Sequence, residues 1–395
     1  MPPYDIEHWT HDQAEIEIRR WLLEHNLWEP NLERQRMDVH NGTTVETPLE
    51  AERASSPDPT LLTQDQERPE KAPAPPRTIL VPLDESPFAE QVLPYVQILA
   101  PLIGARIHLL RVVTDAEQQH LMAYKPVTLH GLGDWVSDRR SREHQAWETL
   151  QNFAEGYLDS TAPHLRKNDV LVNCSVATGP AAEAIVKAAE QHDATLIAMA
   201  THGYSGLRRW ALGSVTDRVV HMANVPVFVI RGRQEPTATL APPRRILVPL
   251  DGSQFARQAL PLAVRLAAAA HAELLLLMVV EPTMHLFPEP AAMGPTAMAG
   301  WEAVEARREQ ARTTIEEIAA PLREQYQLPI TVRAVVGHIA EEIIEQASRH
   351  EMDLIIMTTH GYSGLQRWAL GSIADKVLHA ATVPLVLVRV HTIDN

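Results

Sequence analysis

The sequence has little cysteine and no excess of positive charge, and each shortage excludes a class of protein. The one cysteine, Cys174, can form neither an internal disulfide nor a cysteine-based zinc site, so we expect a cytoplasmic location. There are 35 Lys and Arg against 50 Asp and Glu, and this balance argues against a dedicated nucleic-acid-binding protein. Because no run of about 20 apolar residues and no apolar signal segment occur, we expect neither a membrane span nor secretion.

An internal repeat dominates the 395 residues. The segment THGYSGLRRWALGS at 201–214 recurs as THGYSGLQRWALGS at 359–372, with one difference in fourteen positions. Upstream, TILVPLDES at 78–86 recurs as RILVPLDGS at 245–253. The copies lie 158 and 167 residues apart, far more than the repeat length of a solenoid. The sequence therefore predicts a duplicated domain.

The repeat divides the chain into an extension and two domains. Residues 1–77 have no counterpart, and we predict a short helix followed by a disordered linker rich in Pro, Glu and Ser over 41–77. That helix could dock on its own chain or bind a partner, and both possibilities stay open. We predict the first repeat at 78–232 and the second repeat at 244–391, joined by a linker at 233–243.

Within each repeat, short apolar runs such as Thr78–Leu83 alternate with helical segments. Continuous apolar strands between helices are typical of an α/β fold whose parallel sheet is covered on both faces. We predict two Rossmann-like, open, twisted five-stranded parallel sheets, each in the order 3-2-1-4-5, arranged as a pseudo-two-fold tandem. Pro82 and Pro249 conflict with a central strand, so we place them where the first strand leaves the sheet.

A glycine–serine loop follows a buried strand in each repeat. It contains Gly203, nine further residues and Gly213-Ser214, and in the second repeat Gly361, nine residues and Gly371-Ser372. Glycine allows close approach of the backbone, and the start of a helix offers unpaired N–H groups and a positive dipole end. The spacing is neither a Walker P-loop nor the dinucleotide fingerprint. The pattern indicates a phosphate-binding loop of another kind.

The combination of V-P-L-D, T-H-G-x-S-G and L-G-S in both repeats resembles a tandem universal stress protein of the ATP-binding branch. The resemblance covers about 78–232 and 244–391. The family loop is written G-x2-G-x9-G-[S/T], and its first glycine is replaced here by Ala200 and by Thr358. In the family that position lies against the ribose. The replacement puts ribose contact in question, more for Thr358 than for Ala200.

The resemblance implies a nucleotide site in each repeat. Aspartates after the first strand would lie near adenine and ribose, valines at the end of the second strand would meet adenine through their backbone, methionines would pack near the base, and the glycine–serine segments would hold phosphates. The implied residues are Pro82, Asp84, Val112, Met199, Ala200, Gly203, Gly213, Ser214 and Val215, and Pro249, Asp251, Val279, Met357, Thr358, Gly361, Gly371, Ser372 and Ile373. As alternatives, the aspartates could simply cap helices and the glycines could serve only as turns.

Two classes of function compete. The first is an ATP-binding stress-response regulator with up to one nucleotide per repeat, with at most slow hydrolysis, no assigned catalytic residue and no protein metal site; Mg²⁺ could arrive with the ATP. The second is an interaction module of the family that binds no nucleotide. An adenylyl-transferring enzyme ranks lower, because the sequences after the first strands, Asp-Glu-Ser-Pro and Asp-Gly-Ser-Gln, are not glycine-rich.

Family members associate through their last strand, and this resemblance implies a contact within the chain. Val225–Arg231 and Val383–Arg389 would pair with each other and cover both exposed edges. Beyond adenine nucleotide, the expected partners include no nucleic acid and no membrane. Whether chains also form homodimers, and which protein partner they have, the sequence leaves open.

Overall fold

The computed structural model describes residues 77–123, 135–166, 170–201, 213–232, 241–282, 295–360 and 370–390, all within one compact unit, Ala72–Asn395. The predicted helix and linker of the extension lie outside the described residues. Within the described ranges, no helix combines the length and the apolar character needed to cross a membrane.

Strands and helices alternate in both repeats, as predicted. The first repeat contains β1 (Arg77–Leu83), α1 (Pro87–Glu90), α2 (Leu93–Ile103), β2 (Ala105–Val113), α3 (Asp115–Ala123), α4 (Trp135–Leu165), β3 (Val172–Thr178), α5 (Ala181–Gln191), β4 (Ala194–Thr201), α6 (Ser214–Met222) and β5 (Val227–Arg231). The second contains β6 (Arg245–Pro249), α7 (Gln254–Arg257), α8 (Leu260–Ala270), β7 (Glu273–Val280), α9 (Pro295–Tyr326), β8 (Ile330–Val336), α10 (Ile339–Arg349), β9 (Leu354–Thr358), α11 (Ser372–Ala380) and β10 (Leu385–Val388).

The strands form one ten-stranded sheet in the order β3-β2-β1-β4-β5-β10-β9-β6-β7-β8. Within each repeat the five strands are parallel and have the order 3-2-1-4-5. The repeats meet through β5 and β10, which pair antiparallel with Val229 opposite Leu385 and Val227 opposite Leu387. The predicted pairing of the last strands within the chain is therefore confirmed, and it joins the two sheets into one.

Two apolar cores cover the faces of this sheet. Because side chains alternate along a strand, Ile79 and Val81 lie in core 1, with helices α2, α4, α8 and α9, whereas Leu80 lies in core 2, with α5, α6, α10 and α11. Each core contains residues of both repeats. At the junction Phe228 of β5 is 2% exposed and packs with Tyr95 at a ring-centroid distance of 5.9 Å. Burial of such a side chain stabilises the fold by roughly 1.5–3 kcal/mol.

Pro82 and Pro249 lie in the first strands at positions where the sheet loses no backbone hydrogen bond. Pro249 is the last residue of β6, and the next backbone N–H, that of Leu250, donates to the Leu277 carbonyl of β7 at 2.8 Å. Since successive N–H groups of a strand alternate in direction, the Pro249 nitrogen is on the β9 side, where the β6–β9 pairing ends at Leu247. Pro82 has the equivalent position, one residue before the end of β1.

Candidate functional site

In each repeat the first and fourth strands stop pairing before the first strand ends, and we call the region beyond this separation the crevice. Pairing between β1 and β4 stops at Leu80 and Ile197, whereas pairing between β1 and β2 continues to Leu83. In the second repeat the β6–β9 pairing stops at Leu247. The order 3-2-1-4-5 reverses direction at this point, and open parallel sheets bind ligands at such a reversal, outside the carboxyl ends of the strands. The crevices are the candidate sites.

In each repeat the aspartate after the first strand is hydrogen-bonded to the serine that caps the next helix. Asp84 is exposed, and its Oδ1 accepts from the backbone N (3.1 Å) and the Oγ (2.6 Å) of Ser86, whose Oγ in turn accepts from the Ala89 N at the start of α1. Asp251 Oδ1 accepts from the Ser253 N at 2.9 Å. These contacts support the alternative in which the aspartates serve helix capping. Each carboxylate also stands at the mouth of its crevice, where a ligand role stays a prediction.

The carbonyls at the end of the second strand face the crevices. The Val113 carbonyl accepts from the Gly179 N on the β3 side at 3.0 Å, so the preceding carbonyl, that of Val112, is turned toward β1. The same bond at Val280, over 3.1 Å, turns the Val279 carbonyl toward β6. The backbone therefore offers a hydrogen-bond acceptor at the position where the family resemblance implies adenine.

The last residues of the fourth strand line each crevice from the other side. Met199 and Met357 are each 6% exposed and belong to core 2, whereas Ala200 belongs to core 1. Thr358, which replaces the first loop glycine, is also buried, and its Oγ1 donates to the His360 carbonyl at 2.8 Å. This hydroxyl is bonded to its own backbone.

Helices α6 and α11 begin beside the crevices without a capping side chain. Their N-cap residues, Gly213 and Gly371, have extended backbone angles, and neither helix has a side-chain cap hydrogen bond. The N–H groups of the first turn therefore point outward with the positive end of the helix dipole, next to Ser214 and Ser372. This arrangement suits an anion such as phosphate. The other loop glycines, Gly203 and Gly361, lie outside the described residues.

Gly371 also has a packing reason that the sequence does not reveal. Its N–H donates to the Thr359 carbonyl at 2.8 Å, and an added Cβ would lie 3.0 Å from the same carbonyl oxygen. The absence of a side chain thus lets α11 start directly against the end of β9. Val215 and Ile373, the second residues of the two helices, are partly exposed beside the serines.

An ionic cluster around a buried arginine near the end of β2 was not predicted from the sequence. Arg111 of β2 is 9% exposed and donates to Glu85 at 2.9 Å, to Glu117 at 2.5 Å and to the Val112 carbonyl. Glu117 also accepts from the Thr114 N at 2.7 Å, at the start of α3. The alignment of the two repeats contains a signal that could have revealed this cluster. Arg111 is a charged residue in an apolar strand, and the second repeat has a methionine at the equivalent position.

The contact between Arg111 and Glu117 favours the charged form of both side chains. Burial by itself would lower the pKa of Arg111, but hydrogen bonds to Glu117 and Glu85 outweigh burial and raise it. Burial would likewise raise the pKa of Glu117, whereas the bonds from Arg111 and Thr114 lower it. Among the described residues, no group of three or more His, Cys, Asp or Glu side chains is arranged to hold a metal ion.

Comparisons with known proteins bear on the family and the fold of the chain. A sequence model of the universal stress protein family matches residues 76–231 and 243–389. A universal stress protein of Methanocaldococcus jannaschii is 29% identical over 147 residues, which are 37% of this chain and 82% of that protein. One of Mycobacterium tuberculosis is 26% identical over 201 residues, 50% of this chain and 63% of that protein, just under two thirds of its length.

The same fold occurs among solved structures. The crystal structure of a universal stress protein from Archaeoglobus fulgidus superposes with a TM-score of 0.54 at 20% identity, over 79% of this chain and 96% of that one. At this identity the likeness concerns the fold and not the ligand.

Proposed function

The chain belongs to the universal stress protein family, and we propose that within it this protein is an ATP-binding regulator with up to one nucleotide per repeat. One observation carries the proposal: in each repeat an uncapped helix N-terminus, preceded by the family's glycine–serine segment, opens beside the switch-point crevice. The site fits a ligand with phosphates at one end and a flat base at the other.

The phosphates would lie on the first turns of α6 and α11. The N–H groups there lack a side-chain cap, and the hydroxyls of Ser214 and Ser372 add a donor each. A negative charge at an exposed helix N-terminus is stabilised by about 0.3–1 kcal/mol through the dipole alone, and each charge-assisted hydrogen bond adds to this.

The base and ribose would lie deeper in the crevice. The Val279 carbonyl offers an acceptor to the adenine amino group, and the Val112 carbonyl is the equivalent acceptor, to which Arg111 already donates. The buried Met199 and Met357 offer apolar contact, and the carboxylates after the first strand offer acceptors to the ribose hydroxyls. We assign no catalytic residue. The expected output is a change of state or partner on nucleotide binding, with slow hydrolysis at most.

The competing proposal is an interaction module that holds no nucleotide. Two observations favour it: in the first repeat Arg111 donates to the Val112 carbonyl, and in the second Thr358 stands where the family loop has glycine. The retained Gly-x9-Gly-Ser segments in both repeats argue for nucleotide binding instead.

Calorimetric titration of the full chain with ATP and Mg²⁺, together with analysis of nucleotide extracted from the purified protein, decides between the two. We expect binding in the micromolar range. If millimolar ATP gives no heat and no nucleotide is extracted, the regulator proposal is wrong.

A charge substitution tests the phosphate position. Ser372→Asp places a carboxylate at the first position of α11, where it favours the helix dipole but repels phosphate, so we expect ATP affinity in the second repeat to fall at least tenfold with no loss of thermal stability. Ser372→Asn is the matched neutral control and should retain most of the affinity. Equal affinity in both variants would contradict the phosphate assignment.

A further inference from the structure

The two crevices differ at one buried position near the end of the second strand. Arg111 in β2 and Met278 in β7 are equivalent by the 167-residue repeat and are 9% and 8% exposed. The first repeat thus has a guanidinium where the second has a thioether. The residue after the first strand's aspartate differs in the same way: Glu85 with φ +66°, against Gly252 with φ +84°.

The Arg111 guanidinium is hydrogen-bonded to the Val112 carbonyl, the acceptor that a base would need. Arg111 Nη1 donates to the Val112 carbonyl, which faces the crevice, while Arg111 Nε and Nη2 bind Glu85 and Glu117. Val112 itself is 5% exposed, whereas Val279 is half-buried. The end of β2 is therefore covered and its carbonyl engaged, and the end of β7 is more open.

We propose that Arg111 is a specificity-determining residue that disfavours adenine in the first repeat and makes the second repeat the primary ATP site. This inference rests on the proposed function. The adenine amino group is a hydrogen-bond donor and requires an acceptor, but in the first repeat it would meet a guanidinium, which has donors only. Adenine would therefore compete with Arg111 for the Val112 carbonyl.

Moving Arg111 is costly because its partners would stay behind. The Arg111 side chain is 11% exposed, and its partners Glu85 and Glu117 are 44% and 35% exposed. Moving the guanidinium breaks two ion pairs to a desolvated cation, and such pairs contribute more than pairs between two fully exposed side chains. The second repeat has its own departure at Thr358, but that hydroxyl is bonded to the His360 carbonyl, and among the described residues around it no ion pair has to break. The free-energy cost of binding adenine is therefore larger in the first repeat.

Photolabelling of the wild-type full chain with 8-azido-ATP, followed by peptide mapping, locates the bound base without any substitution. We expect at least tenfold more label in peptides of 244–391 than in peptides of 78–232, since one lost hydrogen bond to a base corresponds to about a factor of ten. Equal labelling of both repeats would overturn the inference and leave the proposed function standing. Absence of ATP-competed label from both would overturn the proposed function.

The variant Arg111→Met gives the first repeat the residue of the second. We expect the calorimetric stoichiometry to rise from about one ATP per chain to about two. Arg106→Met is the matched control: it is the same substitution in the same strand, and Arg106 bonds Thr78 Oγ1 at 2.8 Å, five residues from Arg111. Unchanged stoichiometry in a folded R111M chain would overturn the role of Arg111. Should R111M fail to fold, the wild-type labelling still decides which repeat binds.

Discussion

Arg389, just past the last strand of the second repeat, donates through Nη1 to the carbonyl of His221 in the last turn of α6, over 2.8 Å. The relationship is reciprocal, because Arg231 at the end of β5 donates to the His379 carbonyl in the last turn of α11. A guanidinium at a helix C-terminus satisfies an orphan carbonyl and favours the dipole. Each repeat thus binds the C-terminal end of a helix that belongs to the other repeat. The N-terminus of that same helix is the proposed phosphate site.

Removal of either arginine should loosen the junction of the repeats. Arg231 and Arg389 are half-buried, and a charge-assisted hydrogen bond of this kind contributes about 1–2 kcal/mol. We expect Arg231→Ala and Arg389→Ala each to lower the free energy of unfolding by that amount in urea titrations. Arg349→Ala, which removes an exposed i,i+4 ion pair with Glu345, is the control and should change it by less than about 0.5 kcal/mol. Equal effects in all three variants would contradict the role of the junction.

A buried histidine in the first repeat predicts acid sensitivity. His108 stacks on His192 at a centroid distance of 3.8 Å, and its Nε2 lies 2.7 Å from Ser175 Oγ. Burial, with the nearby His192 and Arg106, lowers the pKa of His108 to about 4. Histidine in an unfolded chain titrates near 6.5, so between these values the unfolded state binds more protons and stability falls as the pH falls.

His108→Leu, which introduces the residue found at the equivalent Leu275, should remove that dependence. We expect the wild type to lose up to about 3 kcal/mol more than the variant between pH 7 and pH 4, measured by urea unfolding at several pH values. His144→Leu, at an exposed histidine, should leave the slope of the wild type unchanged. If the free energy of unfolding of H108L changed with pH as that of the wild type does, His108 would not titrate abnormally.

Gly371 should be intolerant of alanine for a structural reason. Because a Cβ there would lie 3.0 Å from the Thr359 carbonyl, we expect Gly371→Ala to destabilise the protein by about 1–2 kcal/mol. Gly156 in α4 has nothing within 4 Å of an added Cβ, and Gly156→Ala should stabilise by about 0.5–1 kcal/mol. Urea unfolding measures both, and a neutral G371A would contradict the close packing of α11 on β9.

Thr358→Gly should strengthen ATP binding in the second repeat. The substitution restores the family's first loop glycine and removes the side chain beside the expected ribose, so we expect a gain of roughly fivefold in affinity, equivalent to about 1 kcal/mol. Ala200→Gly in the first repeat is the paired control and should change total binding little. If T358G binds ATP more weakly in calorimetry, the threonine contributes to the site.

Much of the fold followed from local patterns. The alternation of apolar strands with helices, the Ser86 cap before Pro87 and the near-identical segments at 201–214 and 359–372 are all visible in short stretches of chain. They were enough to predict the α/β class and the duplicated domain, whereas the pairing of the last strands was implied by the family resemblance. The candidate site was predicted as a set of positions, and the described ones among them lie at or beside the two crevices.

The Arg111 cluster could not be predicted in this way. Glu85, Arg111 and Glu117 lie 26 and 6 residues apart, and their contact depends on the register that sets Leu83 against Arg111 and on the turn of α3. The packing role of Gly371 likewise depends on where β9 ends relative to α11.

The sequence by itself determined the duplication and the fold class, because the repeat and the alternation of strands with helices are local properties of the chain. From glycine placement and helix starts it predicted a ligand with phosphates. Only the tertiary structure brought Glu85, Arg111 and Glu117 together and so showed how the two repeats differ at the end of the second strand. A buried charge acquires its effect from the partners that the fold brings to it, and those partners are distant in sequence. Here Arg111 meets two carboxylates and the Val112 carbonyl, while Met278 meets none of them.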